Sequence, residues 1–217
     1  MDSEWEIEQE IFKHPFNCVL SGPTSCGKTY LLHQILKYKD VMIKDSPRQI
    51  ILCYKTWQPR YDLIKADVQN IRFHQGVLES SQIDSLFNTI LIFDDLNNEC
   101  INSEPIMNLY TVGSHHQNIS VFVLSQNIFS KGRFSRELSL NSNYLIIFMN
   151  PRDQLQLKIL SSQMFPGKTK FLVEAFNDAT KLAHGYLLLD LKQDTLLKNR
   201  VRTSILPKDV KIIYTAK

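Results

Sequence analysis

The chain has 217 residues, enough for one domain that buries roughly 70% of the surface its unfolded form exposes. Its 25 Lys and Arg against 22 Asp and Glu leave a formal charge of +3, too little for a protein that coats nucleic acid passively, so any DNA contact must be local. No apolar run approaches the ~20 residues needed to span a bilayer, the acidic opening carries no secretory or transit pattern, and Cys18, Cys26, Cys53 and Cys100 lack metal-ligand spacing and read as reduced intracellular thiols.

Residues 1–14 read as an acidic flank with a short helix around Trp5 and Ile7, and residues 15–217 as the domain. Apolar runs follow at 16–20, 50–54, 71–74, 89–93, 120–124, 144–148 and 186–191. Helix-period segments separate them. This alternation predicts an α/β fold with a mainly parallel central sheet flanked by helices on both faces. Residues 30–39 place Leu31, Leu32, Ile35 and Leu36 on one helical face. Asn150-Pro151-Arg152-Asp153 reads as a helix start: an N-cap Asn, then Pro at the first helical position. That helix is expected to turn Leu155, Ile159 and Leu160 inward and to stop before Pro166-Gly167, with another helix over 170–177. The tails 201–205 and 210–214 predict a C-terminal edge strand or hairpin around Pro207.

Chemistry begins at residues 22–29, Gly22-Pro23-Thr24-Ser25-Cys26-Gly27-Lys28-Thr29. The pattern is that of a P-loop, with a strand before it and an amphipathic helix after it. Glycines let the backbone turn its N–H groups onto phosphate, and the helix N-terminus adds a favourable dipole. Lys28 is expected to reach the β- and γ-phosphates of ATP, and the Thr29 hydroxyl to ligate Mg²⁺. Downstream, the apolar run 89–93 ends in Asp94-Asp95, and paired carboxylates at the end of a buried strand call for a reason. Asp94 is placed to hold Mg²⁺ through water, and Asp95 to orient and deprotonate the attacking water. The next strand ends in Ser125-Gln126-Asn127. A carboxamide there can donate to the γ-phosphate and accept from the lytic water, which makes Gln126 the sensor candidate ahead of Asn127. Among the basic residues beyond, Arg136 and Arg152 are candidates for an arginine finger supplied to a neighbouring subunit. Lys131 and Arg133, beside Gly132, are candidates for DNA-phosphate contact.

Other features are weaker. His115-His116 has no third ligand at metal spacing and reads as a polar loop. Cys26 fits as a small residue in a tight loop, although a helix N-terminus can also lower a thiol pKa and favour oxidation. The segment Trp57-Gln58-Pro59-Arg60-Tyr61 can stack on adenine, line a channel or be an ordinary surface loop.

Taken with these residues, the chain resembles viral genome-packaging ATPases of the poxvirus type, within the FtsK/HerA group of P-loop DNA translocases, and most of all the short ATPases of Polinton and adintovirus-like elements. The resemblance rests on residues 21–29, 90–96, 113–129 (GSHHQNISVFVLSQNIF), 136–153 (RELSLNSNYLIIFMNPRD) and 185–190 (GYLLLD), spread over about 14–206. It implies ATP-driven movement of double-stranded DNA into a preformed capsid by a homo-oligomeric ring, a pentamer or hexamer, docked on a capsid or portal vertex protein. It also implies action without a membrane at viral assembly sites in the host nucleus or cytoplasm, with virion association. Carried over by position, Lys28 and Thr29 match the first motif, Asp94 and Asp95 the second, and Gln126 the sensor. Arg136 precedes a Leu-Ser-Leu-Asn stretch and becomes the first finger candidate, Arg152 the alternative. Many translocases of the wider group carry Glu where this chain has Asp95, so the reach to water is shorter here. Without the resemblance, the residues stop at an Mg-ATP hydrolase. Two other readings stay open: a nucleotide-gated capsid or assembly adaptor that hydrolyses little, and a nucleoside or nucleotide kinase.

Overall fold

The computed structural model describes residues 11–128 and 132–216, without the side chains of His115 and Ser135. The helix expected around Trp5 and Ile7 lies outside the described residues. The strands are β1 (Phe12–Lys13), β2 (Asn17–Ser21), β3 (Ile43–Lys44), β4 (Gln49–Tyr54), β5 (Ile71–Gln75), β6 (Thr89–Asp94), β7 (Ile119–Ser125), β8 (Tyr144–Phe148), β9 (Tyr186–Asp190), β10 (Val201–Thr203) and β11 (Ile212–Tyr214). The main sheet runs β11-β10-β9-β8-β2-β7-β6-β4-β5. From β8 to β5 every pairing is parallel, and β9, β10 and β11 extend the β8 edge antiparallel. A second, two-stranded parallel sheet, β1 with β3, packs on the main sheet and buries Ile11 and Phe12, within the stretch assigned to the acidic flank, against Phe122 and Tyr144.

The expected architecture is therefore present, and its cause is visible in β6. Ile90 and Ile92 enter the apolar cluster on one face of the sheet, Leu91 and Phe93 the cluster on the other. A strand buried on both faces needs apolar side chains at both phases of its two-residue period, hence the unbroken runs. One face is covered by Leu31, Leu32, Ile35 and Leu36 of helix Lys28–Lys37, the face periodicity predicted, together with Tyr61 and Ile64 of helix Pro59–Asp67. The opposite face is covered by Leu157 and Leu160 of helix Leu155–Met164 and by Leu172, Ala175 and Phe176 of helix Thr169–Ala179. At the C-terminus β10 and β11 form the anticipated antiparallel edge hairpin, shorter than expected.

One helix departs from expectation. Residues 150–153 form a turn, not a first helical turn: Arg152 N–H donates to Asn150 Oδ1 at 3.1 Å and Asp153 N–H to the Asn150 carbonyl at 3.3 Å. The Asn side chain bonds its own neighbours and closes the turn, in competition with helix initiation. The helix starts at Leu155 and is rotated, leaving Leu155 64% and Ile159 42% exposed while Leu157, Leu160 and Ser161 are buried.

Candidate nucleotide site

The site grows from the carboxyl end of β2, which lies between β7 and β8. Gly22 N–H donates to the Ser125 carbonyl at 3.1 Å, tying the loop to β7. A Cβ at Gly22 would stand 2.7 Å from both Cys26 Sγ and Phe148 Cβ, so the approach admits only glycine. Ser25 at φ 65° and Gly27 at φ 111° are left-handed, the alternation that gathers successive backbone N–H groups into an anion-binding concavity at the start of helix Lys28–Lys37. Lys28 is buried, and its Nζ donates to the carbonyls of Gly22 at 2.6 Å and Pro23 at 2.9 Å. The lysine thus lies folded across the loop it is expected to leave for phosphate. Burial pushes the Cys26 thiol up, against the pull of Lys28 and the backbone, which disfavours the thiolate and agrees with a small side chain in a crowded loop.

Across the loop, β6 delivers the two acids to different environments. Asp94 is 1% exposed, and its Oδ2 accepts from Thr29 Oγ1 at 3.1 Å and Tyr61 OH at 3.0 Å. Asp95 is exposed, left-handed at φ 57°, and its Oδ2 accepts from Gln58 Nε2 at 3.0 Å. Burial first, then the neighbouring Asp95 charge, pushes Asp94 up to about 6 from an ordinary 3.8, against the hydroxyls of Tyr61 and Thr29 and the charge of Lys28. A carboxyl raised on folding contributes stability that is full below the unfolded value and is lost as pH rises through the folded one. At pH 8 the nucleotide-free protein therefore carries a penalty of roughly 3 kcal/mol at this residue. Asp94→Asn is expected to melt several degrees above wild type at about pH 8 and close to it at about pH 4, by calorimetry with EDTA. Equal melting temperatures at pH 8 would refute the assignment.

Gln126 is exposed just beyond β7. With Thr24, Thr56, Asp95, Asn127 and Gln156 it lines an open cleft of about 760 Å³, so the fold brings the sensor candidate and the base candidate to one opening beside the P-loop. On the other side of the loop a cleft of about 310 Å³ is lined by Ser25, Cys26, Met149, Leu182 and His184, where His184 Nδ1 stands 3.1 Å from the Cys26 carbonyl. The basic candidates are not gathered in: Arg136 and Arg152 are exposed and line neither cleft. Arg133 is exposed and lies over the Phe134 ring at 4.7 Å. Lys131 lies outside the described residues. Among the described residues no three His, Cys, Asp or Glu side chains are grouped to cage a metal. Thr29 and Asp94 nevertheless place hard oxygen atoms side by side, donors that suit Mg²⁺ completed by phosphate and water.

Three contacts escape sequence reasoning. Tyr61 and Gln58 meet the acids from helix Pro59–Asp67 and its N-cap, in a segment whose composition only suggested stacking or a loop. His184 comes from 158 residues away and carries no local signal.

The parallel sheet, the loop after β2 and the acids after β6 together define the fold of P-loop NTPases. Among solved structures, the genome-packaging NTPase B204 of Sulfolobus turreted icosahedral virus 2 determined with sulfate is similar at TM-score 0.56 and 12% identity, over 94% of this chain and 97% of that one. The same protein with AMP is similar at TM-score 0.54 and 14% identity, over 83% and 95%. B204 of Sulfolobus turreted icosahedral virus, described as a DNA-packaging ATPase, gives 0.52 and 13%, over 94% and 99%. No family model matches the sequence, and no curated protein matches it. No helix among the described residues is long and apolar enough to cross a membrane.

Proposed function

We propose that the chain is an ATP-hydrolysing motor subunit that moves double-stranded DNA, packaging a viral genome into a preformed capsid. Kinship with the poxvirus-type and Polinton-like ATPases is part of this reading. The observation that carries its hydrolytic half is the hydrogen bond from Thr29 Oγ1 to Asp94 Oδ2 at 3.1 Å, which joins the candidate phosphate loop to the acid of β6 with Asp95 and Gln126 on the adjoining cleft; the similarity of fold to genome-packaging NTPases supports the motor half.

In this reading the N–H groups of residues 24–29 cradle the phosphates, and Lys28 leaves the Gly22 and Pro23 carbonyls to meet the β- and γ-phosphates. Thr29, through its hydroxyl, and Asp94, through a water, would hold Mg²⁺. When bound, the ion would supply charge neutralisation to the phosphates. Asp95 takes a proton from the attacking water, which Gln126 orients. The base and ribose leave the loop on the His184 side, opposite the cleft that receives the γ-phosphate. Arg136, or Arg152 in its place, reaches the γ-phosphate of a neighbouring subunit in the pentameric or hexameric ring. Their exposure away from the chain's own clefts suits a finger given in trans. Lys131 and Arg133 touch DNA phosphate, and several copies of a small basic loop around one duplex raise avidity without new contacts. The partners are double-stranded DNA and a capsid or portal vertex protein, and the place of action is the assembly site inside the host cell.

The test is ATPase turnover with and without double-stranded DNA, beside Lys28→Ala. We expect stimulation by DNA, loss of turnover in Lys28→Ala by about 10³ or more, and ring assembly with nucleotide. Joint replacement of Lys131 and Arg133 by Ala is expected to lower the ratio of DNA-stimulated to DNA-free turnover and to flatten its salt dependence. Turnover indifferent to DNA in a protein that stays monomeric with nucleotide would overturn the motor.

A further inference from the structure

We infer that Tyr61 is a positioning residue for the cation half of the site, holding the Asp94 carboxylate in the one orientation that serves a hydrated Mg²⁺; the inference rests on the nucleotide-site reading above. Tyr61 is fully buried at 0% exposure. Its ring is fixed on three sides, with centroids 5.6 Å from Tyr54, 5.5 Å from Trp57 and 5.9 Å from Phe73. The hydroxyl therefore has one direction available, and it ends on Asp94 Oδ2 at 3.0 Å. Thr29 Oγ1 donates to the same oxygen at 3.1 Å from a different element.

Two donors on one carboxylate oxygen fix the plane of the group, where one would leave it free to rotate. Among the described residues both hydrogen bonds to Asp94 fall on Oδ2, which leaves Oδ1 for a water of the cation. Thr29 cannot do this alone, because its hydroxyl is also the expected metal ligand and has to be placed itself. Lys28 does not compete for the carboxylate; its Nζ is directed at Gly22 and Pro23. Asp94 is thus held by neutral donors and keeps its charge for the cation. A buried tyrosine hydroxyl needs some acceptor, but packing alone would be served by any carbonyl nearby, whereas this hydroxyl reaches the single carboxylate that faces Thr29.

The experiment is a titration of Mg²⁺ against binding of a fluorescent non-hydrolysable ATP analogue to the full chain. It compares wild type, Tyr61→Phe, Asp94→Asn and the double variant, with a parallel measurement in EDTA. Tyr61→Phe keeps the ring and removes only the hydroxyl. We expect the Mg²⁺ concentration for half-maximal binding to rise roughly tenfold, the affinity in EDTA to stay at the wild-type value, and the change to vanish in the Asp94→Asn background. An unchanged Mg²⁺ midpoint in Tyr61→Phe overturns the inference, as does an equal shift in both backgrounds, which would mean that Tyr61 acts through packing. If wild type itself bound no nucleotide in Mg²⁺, the reading of the site would fall and this inference with it. If wild type binds in Mg²⁺ but the Tyr61→Phe midpoint does not move, the inference falls and the reading of the site stands.

Discussion

Asp95→Asn is expected to lower turnover by roughly 10²–10⁴ while leaving nucleotide affinity within a small factor of wild type. Asp95 stands at the mouth of the 760 Å³ cleft, exposed and at φ 57°. Asn tolerates that left-handed backbone and matches Asp in shape, so the loop after β6 should persist. The Asn side chain can also still accept from Gln58 Nε2, now 3.0 Å from Asp95 Oδ2. What disappears is the capacity to take a proton. Steady-state turnover set against equilibrium binding of a non-hydrolysable analogue separates the two contributions. Turnover within about threefold of wild type would remove Asp95 from the base role. Asp95→Glu tests the shorter arm: if reach limits the rate, lengthening the side chain should not abolish turnover.

The second large effect concerns stability. Arg202→Ala should destabilise the fold by roughly 3–5 kcal/mol, lowering the melting temperature by on the order of 10 °C for a domain of this size. Arg202 Nη2 meets Asp190 Oδ2 at 2.6 Å, and the two side chains are only 9% and 6% exposed. The same carboxylate accepts from Thr195 Oγ1 at 2.9 Å and Lys192 N–H at 3.2 Å through Oδ1, so removing the guanidinium leaves a buried carboxylate with neutral hydrogen-bond donors and, for charge, only the field of the Lys192 side chain. The pair joins β9 to β10, where antiparallel strands extend the parallel sheet. Denaturant unfolding of Arg202→Ala measures the loss, and replacing both partners with apolar residues of similar volume should recover much of it. A melting temperature within two or three degrees of wild type would show that water reaches Asp190 and solvates it.

Much of the candidate nucleotide site could be read from the chain because its parts are local. A P-loop is one continuous segment whose glycines, lysine and threonine act through their own backbone and the helix they start, so residues 22–29 announce themselves. The acids at 94–95 were visible for a related reason: a strand buried on both faces is an unbroken apolar run, and charge at its end is conspicuous. Residues 150–153 show where local reading fails. Asn before Pro suits a helix start and a turn alike; here Asn150 closes a turn on Arg152 and Asp153, and the helix that then begins at Leu155 leaves Leu155 and Ile159 exposed.

The amino-acid sequence by itself determined the mainly parallel sheet with helices on both faces, the candidate phosphate loop and the pair of carboxylates, since each is written in neighbouring residues and their periodicity. Tertiary structure alone decided that Tyr61 and Gln58 hold those carboxylates, that His184 closes the far side of the loop and that Arg202 neutralises Asp190. These partners are brought together by strand order and helix packing, and a hydrogen bond between residues 33 or 158 positions apart leaves no trace in either one's local pattern. The same division separates Asp94 from Asp95. They are adjacent and identical in sequence, yet the first is buried between two hydroxyls and the second faces the cleft, because the strand ends between them.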